Sequence, residues 1–156
     1  MSNPGVRFPP PMLYVVAACI AWLLEMRVVR IRLIGGSGST FPLEIFGAVI
    51  FLAGFALVAW GLYTFASART GILPMRPATR IVDWGPYAFS RNPMYTGMAI
   101  LYMGGSFALN WGWAILLLPV AMLANYLLVI KREEKYLSEA FPSEYDDYRK
   151  RVRRWL

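Results

Sequence analysis

The feature that most constrains this chain is an uncharged stretch, because residues 94–130 contain no Asp, Glu, Lys or Arg over 37 positions. A bilayer core about 30 Å thick takes about 20 apolar residues per helical span. The stretch is therefore long enough for two spans, of about 93–109 and 112–130, with a tight turn near 110–112. Helices joined by so short a turn lie antiparallel, so we expect a helical hairpin.

Two further segments predict spans. Residues 43–65 are apolar apart from Glu44, one threonine and several glycines. The segment 12–33 has an apolar part of 13 residues, 12–24, which is about 20 Å of helix, and it reaches full length only when Glu25 and three arginines are included. We therefore expect an all-α, multi-pass membrane protein with about four transmembrane helices.

The composition supports a membrane protein and excludes several kinds of site. Charged residues make up only 16% of the chain and hydrophobic residues 58%, whereas soluble domains have about 25% charged residues. The lack of histidine excludes a Ser-His-Asp triad, a Cys-His site and a histidine-ligated metal, and the single cysteine, Cys19, excludes an internal disulfide and thiolate metal clusters. We expect no metal.

The net charge of +7 bears on topology. In so apolar a chain, basic residues more often set topology and meet anionic lipid headgroups than bind nucleic acid, so we predict membrane lipids as partners and no nucleic acid. If both termini are cytoplasmic, 13 of the 16 basic residues lie inside, in the N-terminal arm, the loop 66–92 and the tail 131–156. Arg27, Arg30 and Arg32 are then outside, unless they line the protein interior or the first segment does not cross.

The polar segments complete a single domain, 1–156. Prolines and charges break every helical pattern in residues 66–92, and loops of that length are usually functional or disordered. In the tail, apolar residues recur at spacings of four, three, four and three, which predicts one buried stripe on a helix. The stripe consists of Phe141, Tyr145, Tyr148, Val152 and Trp155. We expect it to pack on the loop and to close a site there from the cytosol.

The first group of candidate functional residues lies where the loop becomes the third span. Asn92 suits the position before a helix and Pro93 the first helical position. A helix that begins at the membrane surface offers unpaired N–H groups and a partial positive charge, which with Arg91 would bind a carboxylate or phosphate. The simpler interpretation is an aromatic belt of Tyr87 and Tyr95 beside a plain helix start.

The second group, Glu133 and Glu134, directly follows the last span. Because the hairpin returns the chain, this pair and Asn92 emerge on the same membrane face. Adjacent side chains on a helix point about 100° apart, so one glutamate can face a pocket while the other pairs with Lys131 or Lys135. The simpler interpretation is a solvated charge run at the membrane boundary.

Together the two groups resemble a known family, the membrane methyltransferases that include isoprenylcysteine carboxyl methyltransferase and the phospholipid N-methyltransferases. Those proteins carry Gly-x-Tyr, then Arg-His-Pro-x-Tyr-x-Gly at a helix start, a hairpin, Glu-Glu, and Phe-Gly-x-x-Tyr-x-x-Tyr. The order and spacing hold over about residues 70–156, in Gly85-Pro86-Tyr87, Arg91-Asn92-Pro93-Met94-Tyr95-Thr96-Gly97, Glu133-Glu134, and Phe141-Pro142-Ser143-Glu144-Tyr145 with Tyr148.

The resemblance implies membrane helices that hold S-adenosylmethionine on the cytosolic side and take a lipophilic substrate from the bilayer. Carried over by position, the cofactor-binding residues are Thr79, Arg80, Ile81, Val82, Tyr87, Asn92, Pro93, Met94, Tyr95 and Glu133. The expected catalytic residues are Arg91, Tyr95, Glu133 and Glu134. The residue chemistry agrees with this cofactor. Its carboxylate suits a helix N-terminus, its ammonium or ribose suits a glutamate, and its sulfonium suits aromatic faces.

The acceptor is less constrained. A carboxylate or thiolate needs no general base, which suits a chain without histidine, whereas the amine of a phospholipid would need Glu133, Glu134 or a tyrosine to take a proton. Asn92 and Pro142 stand where the family has histidine and glycine, and the family's substrate-contacting arginine falls on Val129. The last departure weighs against a prenylcysteine carboxylate.

Two other functions fit parts of the sequence. Sterol reductases have a similar C-terminal helix arrangement and bind NADPH, but they lack paired glutamates at this place. A four-span transporter or structural membrane protein would use Glu25 as an intramembrane carboxylate, although Glu25 more simply ends the first span beside Arg27.

The hairpin also offers a lateral entrance for an apolar acceptor. Pro119 should kink its second arm, and Gly97, Gly104 and Gly105 allow close packing of its first arm. Pro119, Gly104 and Gly105 mark a candidate gap between the third and fourth spans. Ordinary tight packing explains the same residues equally well.

Overall fold

A computed structural model describes residues 9–35, 38–68 and 78–155, and within them every regular element is helical. In chain order these are α1 (Pro10–Arg27), α2 (Phe41–Ser67), a 3₁₀ turn (Gly85–Ala88), α3 (Pro93–Ala108), α4 (Gly112–Asn125), a π-helical turn (Tyr126–Ile130), α5 (Lys131–Ala140) and α6 (Pro142–Arg151). The all-α prediction is therefore confirmed. Residues 1–8 of the predicted arm and 69–77 of the predicted loop lie outside the described residues.

Within the described residues, three helices are long and apolar enough to cross a membrane, namely α1, α2 and the continuous helix Gly112–Ala140 that α4, the π-helical turn and α5 form together. The chain is thus a multi-pass membrane protein. Because α3 has only 16 residues, the count of four spans stays a prediction. The last helix runs on past the expected end at Ile130, since Lys131–Ala140 consists mostly of good helix formers.

The pair α2 and α3 has the most extensive contact of the fold. Gly47 and Gly54 on α2 face Gly97 and Gly104 on α3, and a Cβ atom on Gly47, Gly54 or Gly104 would overlap backbone atoms of the other helix. The close packing predicted for Gly97 and Gly104 is confirmed. Gly104 faces α2, however, and therefore opens no gap toward α4, while Gly105 makes only an ordinary contact with a phenylalanine ring.

The helix α1 packs mainly on α4. Tyr14 of α1 is buried in one cluster with Ala99 of α3 and Ala121 of α4. Leu13 packs against the cluster that Tyr95, in the first turn of α3, forms with Val129 and Ile130. The beginning of α1, the beginning of α3 and the end of α4 therefore lie at the same end of the bundle. The helices α1 to α4 run in alternating directions.

Asn110, in the turn between α3 and α4, closes the opposite end. Its Oδ1 accepts hydrogen bonds from the N–H groups of Leu33 (2.8 Å) and Ile34 (3.0 Å), and its Nδ2 donates to the carbonyl of Ile34 (2.9 Å). Its φ of 50° lies in the left-handed region, which asparagine adopts more readily than most residues. The predicted turn is confirmed, and it fastens the segment that follows α1.

Arg27, Arg30 and Arg32, the three basic residues expected outside, are exposed. They lie at the end of α1 and directly after it, at the same end of the bundle as Asn110. An interior location, one of the two explanations considered for them, is therefore excluded. Pro119 lies within α4 and is exposed.

The tail returns to the bundle as two helices, with the bend at Phe141. Tyr145 and Tyr148 of α6 and Val152 directly after it are buried in a cluster that packs with Ile81 of the loop. The predicted stripe is confirmed for Phe141, Tyr145, Tyr148 and Val152, which form one cluster with the loop. It does not continue along one helix, because α6 ends at Arg151 and Trp155 packs instead against the cluster of Tyr95, Val129 and Ile130.

Candidate active site

The two groups of candidate residues meet where α3 begins. Tyr95, in the first turn of α3, is buried against Val129 and Ile130. Its hydroxyl donates a hydrogen bond of 2.7 Å to Oε2 of Glu133 on α5. No ion pair among the described residues involves Glu133. Since a carboxylate can accept about four hydrogen bonds, Glu133 has capacity for further donors.

Glu134 is held by two arginines. The guanidinium of Arg154 makes a two-pronged contact with it, from Nε to Oε1 (2.9 Å) and from Nη2 to Oε2 (2.8 Å), and Nη1 of Arg91 lies 3.5 Å from Oε1. Pairing with Lys131 or Lys135 was therefore a wrong prediction. The returning tail brings Arg154 to Glu134, and a planar guanidinium matches a carboxylate better than an ammonium does. These hydrogen bonds raise the pKa of Arg154.

The tail also covers the start of α3. The carbonyl of Arg154 accepts hydrogen bonds from Ser90 Oγ (3.1 Å) and Asn92 Nδ2 (3.2 Å), and the carbonyl of Arg153 accepts one from the Arg91 N–H (2.9 Å). Asn92 and its following proline hold the positions predicted for them at the helix start. The Asn92 side chain makes no capping hydrogen bond, however, and its Nδ2 donates to a carbonyl of the tail instead.

Tyr87 lies beneath this junction and is buried. Gly85, with a φ of 62°, turns the chain in front of it where a Cβ would crowd Thr64 of α2. The Tyr87 carbonyl accepts a hydrogen bond of 2.8 Å from the Tyr148 hydroxyl. Burial raises the pKa of Tyr87 far above its ordinary value, and the negative charge of Glu133 raises it further. The Tyr87 hydroxyl therefore stays protonated and can act as a donor.

Two buried hydrogen-bond donors at the start of α3, the Tyr87 hydroxyl and Nε of Arg91, have no partner among the described residues, and Oδ1 of Asn125 at the end of α4 has none either. The same Arg91 uses Nη1 to donate to the Tyr145 hydroxyl at 3.3 Å. Because an unpaired buried polar group costs about 1–3 kcal/mol, these two donors mark a place where a ligand would improve the hydrogen bonding.

The other predicted cofactor residues are spread more widely. Thr79 and Arg80 are exposed. Ile81 packs with the tail, while Val82 and Met94 pack with Tyr87. The structure thus brings together Tyr87, Arg91, Asn92, Pro93, Met94, Tyr95, Glu133 and Glu134, and it leaves Thr79 and Arg80 at the surface.

An apolar groove of about 360 Å³ adjoins the polar residues, and it lies between α3 and α4. Its lining consists of Thr96, Ala99, Ile100, Met103, Leu118, Met122 and Trp155. A gap between these helices was expected, but Pro119, Gly104 and Gly105 do not line it. Met122 is exposed at the rim, so the groove opens onto the apolar outer surface of the bundle.

Sequence reasoning missed Arg154, Ser90 and Tyr126. The Arg154 guanidinium lies 5.3 Å from the centre of the Tyr126 ring, which adds a cation–π contact to its ion pair. A signal was present, because Arg154 directly precedes Trp155, the last member of the predicted stripe. If the tail closes the site, the charged residues next to its apolar stripe, such as Arg154, must also lie near the site.

The described residues contain no group of three or more His, Cys, Asp or Glu side chains that could hold a metal ion. This finding concerns only the described part of the chain.

Comparison with known proteins gives one match. A family model described as phospholipid methyltransferase matches residues 43–144, more than half of the chain, from the start of α2 into α6. No curated protein and no solved structure matches. The matched range contains both the start of α3 and the glutamate pair. The matched family is one of methyltransferases, so the match does not support a reductase or a transporter. The chain therefore belongs to the phospholipid methyltransferase family and is a membrane methyltransferase.

Proposed function

We propose that the chain transfers a methyl group from S-adenosylmethionine to a lipophilic small acceptor that enters from the bilayer. The observation that carries the proposal is the junction of a polar site, centred on the hydrogen bond between Tyr95 and Glu133, with an apolar groove between two membrane helices. Family membership supplies methyl transfer as the class of reaction.

The polar residues fit S-adenosylmethionine, which supplies an electrophilic methyl group when bound. Such a molecule needs donors for its carboxylate and acceptors for its ammonium and ribose hydroxyl groups. The Tyr87 hydroxyl and Arg91 Nε are buried donors without partners among the described residues, and Glu133 has lone pairs beyond the one that Tyr95 uses. The donor set therefore supports this cofactor.

The remaining residues have supporting roles in the proposal. Cofactor-lining positions at the helix start and in the loop are Asn92, Pro93, Met94, Thr79, Arg80, Ile81 and Val82. Arg91 and Arg154 neutralise Glu134, so that Glu133 is the carboxylate left for the ligand. The tail excludes water from the start of α3, which strengthens the electrostatic interactions of the site.

We favour a carboxylate or thiol as the acceptor. The nucleophile is the carboxylate, or the thiolate whose proton has already passed to solvent, and S-adenosylhomocysteine is the leaving group, so Tyr95 and Glu133 only need to orient the reactants and exclude water. The apolar part of the acceptor would lie in the groove, since all of its lining residues except Thr96 are apolar.

The family description favours a second candidate, the amine of a phospholipid. An ammonium must lose a proton before its nitrogen can accept a methyl group. Glu133 could take that proton directly, because it has lone pairs free of Tyr95 and no ion-pair partner among the described residues.

We infer that the end of the bundle with Glu133 faces the cytoplasm, together with both termini. This inference is supported by the distribution of basic residues, of which eight lie in the tail 131–156. Cysteine labelling of a residue in the tail of intact cells or vesicles would test it.

The central test measures cofactor binding and transfer by the purified protein in nanodiscs. Wild type should bind S-adenosylmethionine and methylate a long-chain alkyl thiol or carboxylate. Glu133→Gln should weaken cofactor binding at least about 10-fold, since hydrogen bonds to charged groups contribute about 1.5–3 kcal/mol. The matched control is Glu139→Gln, because Glu139 lies on the same helix but is exposed and pairs with Lys135.

Two outcomes would contradict the proposal. A wild-type protein that does not bind S-adenosylmethionine would exclude the cofactor. Transfer of labelled methyl only to phosphatidylethanolamine, and to no thiol or carboxylate, would establish the second candidate in place of the first.

A further inference from the structure

Trp155 connects the two parts of the site, although it lies beyond the residues that match the family model. Its side chain packs against the buried cluster of Tyr95, Val129 and Ile130 at the polar site. The same residue lines the apolar groove together with Thr96, the residue next to Tyr95. Trp155 therefore stands at the end of the groove that adjoins the polar site.

We propose that Trp155 determines acceptor specificity, because its indole ring ends the groove and so fixes how the apolar chain of the acceptor lies relative to the reacting atom. The inference rests on the proposed function, since it takes the groove to be the acceptor site. Along α3 the groove extends from Thr96 to Met103, which is about 10 Å at 1.5 Å per residue. The occupant is therefore a hydrocarbon chain that runs from the polar site toward the middle of the bilayer.

The residues before Trp155 fix its position. Arg154 is held by its two-pronged ion pair with Glu134, and its carbonyl accepts two hydrogen bonds from the start of α3. The carbonyl of Arg153 accepts a further one from Arg91. With two successive carbonyl groups anchored, the next side chain forms a fixed end wall. Arg154 is thus a positioning residue for Trp155.

The first test does not depend on methyl transfer. Protein in nanodiscs is titrated with a fatty acid that carries bromine along its chain, and tryptophan fluorescence is recorded without cofactor. Wild type should show saturable quenching that Trp155→Phe loses. The control Trp22→Ala, which removes an exposed tryptophan of α1, should keep it. Saturable quenching that is equal in Trp155→Phe and wild type, or absent from wild type, would overturn the proposal.

The second test uses a series of alkyl thiols and alkyl carboxylates of increasing chain length. Trp155→Ala removes the wall at the polar end of the groove, so a longer chain can slide into the space that the indole leaves, and its KM should fall about fourfold for each additional methylene that the variant buries there. Trp155→Phe keeps an aromatic wall and should retain the wild-type preference. Binding of S-adenosylmethionine should be nearly unchanged in both variants, which reports an intact fold.

The two tests separate the possible failures. A wild-type chain-length profile in Trp155→Ala, with cofactor binding intact, would overturn the role of Trp155 and leave the proposed function in place. If wild type methylates no member of the series, the proposed acceptor class is wrong, and the quenching result then decides whether Trp155 ends a groove that binds hydrocarbon chains.

Discussion

The two ends of the helix bundle are closed in different ways. At one end, Asn110 uses both atoms of its amide in three hydrogen bonds to the backbone, and one indole N–H nearby, of Trp111, is buried without a partner among the described residues. At the other end, Glu134 is held by charged side chains, and Tyr87 and Arg91 each leave a buried polar atom unpaired. The first end is nearly complete by itself, whereas the second has capacity for a ligand.

Because of this difference, we expect the Asn110 end to contribute mainly to the stability of the fold and the Glu133 end to contribute to ligand binding. Hydrogen bonds between a side chain and the backbone stabilise the fold whether or not a ligand is present, and they contribute about 1 kcal/mol each. Unpaired buried donors destabilise the free protein and favour the bound one. Substitutions at the Asn110 end should therefore change stability alone, and substitutions at the Glu133 end should change ligand affinity as well.

The largest loss of stability is expected for Asn110→Ala. Three hydrogen bonds disappear, so the free energy of unfolding should fall by about 3 kcal/mol, while the folded protein should bind S-adenosylmethionine as wild type does. Thermal unfolding in detergent and calorimetric titration measure the two effects. Asn110→Asp keeps the acceptor for Leu33 and Ile34 and should lose less. A weaker affinity without a loss of stability would refute the separation.

A smaller loss is expected for Arg154→Ala. Glu134 would keep only Arg91, and the free energy of unfolding should fall by about 2 kcal/mol, as for a hydrogen-bonded charged group. Affinity for S-adenosylmethionine should fall too, because the tail no longer covers the start of α3. Arg153→Ala is the matched control, since that side chain is exposed. Equal behaviour of the two variants in both assays would show that the ion pair has no role.

Tyr148→Phe removes the hydrogen bond to the Tyr87 carbonyl and should cost about 1 kcal/mol at neutral pH. Burial raises the pKa of Tyr148 above its ordinary value. Its contribution to stability is therefore complete below a pH of about 10 and is lost as the pH rises from there toward the folded-state pKa. Thermal unfolding between neutral and alkaline pH should show a shallower alkaline decline in Tyr148→Phe than in wild type, and parallel curves would contradict this.

The smallest effect on stability is expected for Tyr87→Phe. The hydroxyl has no partner among the described residues, so its removal should leave the unfolding free energy of the unliganded protein unchanged or slightly higher. Affinity for S-adenosylmethionine should nevertheless fall about 5–10-fold, as for one lost hydrogen bond. If stability and affinity fall together, the hydroxyl is a structural group and not a ligand donor.

The sequence could predict that the start of α3 and the glutamate pair meet, because that meeting depends only on the hairpin. A chain that leaves the site on α3 and returns on α4 ends near its starting point, whatever apolar residues fill the two helices. The partner of Glu134 could not be predicted in the same way. Arg154 lies 20 residues further along the chain and reaches Glu134 only through the bend at Phe141, an angle that no local pattern specifies.

Asn92 and the glycines also show that residue type can predict the local role of a residue but not its distant partner. Residue type predicted the position of Asn92 correctly but not its partner, because a carbonyl of the distant tail binds its amide. Conversely, Gly47 and Gly54 are seven residues apart, and so are Gly97 and Gly104. Such rows of small residues predict close helix contacts. The spacing does not say which two helices make the contact, and only the fold shows that they are α2 and α3.

The π-helical turn determines which glutamate faces Tyr95 and which one pairs with Arg154. A turn with one extra residue rotates everything that follows it by about 100° relative to an uninterrupted α-helix. If the same residues formed a regular α-helix instead, Arg132 would lie opposite Tyr95 and Glu133 would face Arg154. The Tyr95 hydroxyl would then meet a cation where it now donates to a carboxylate. The distinct tasks of two chemically identical neighbours are thus set by the helical register upstream of them.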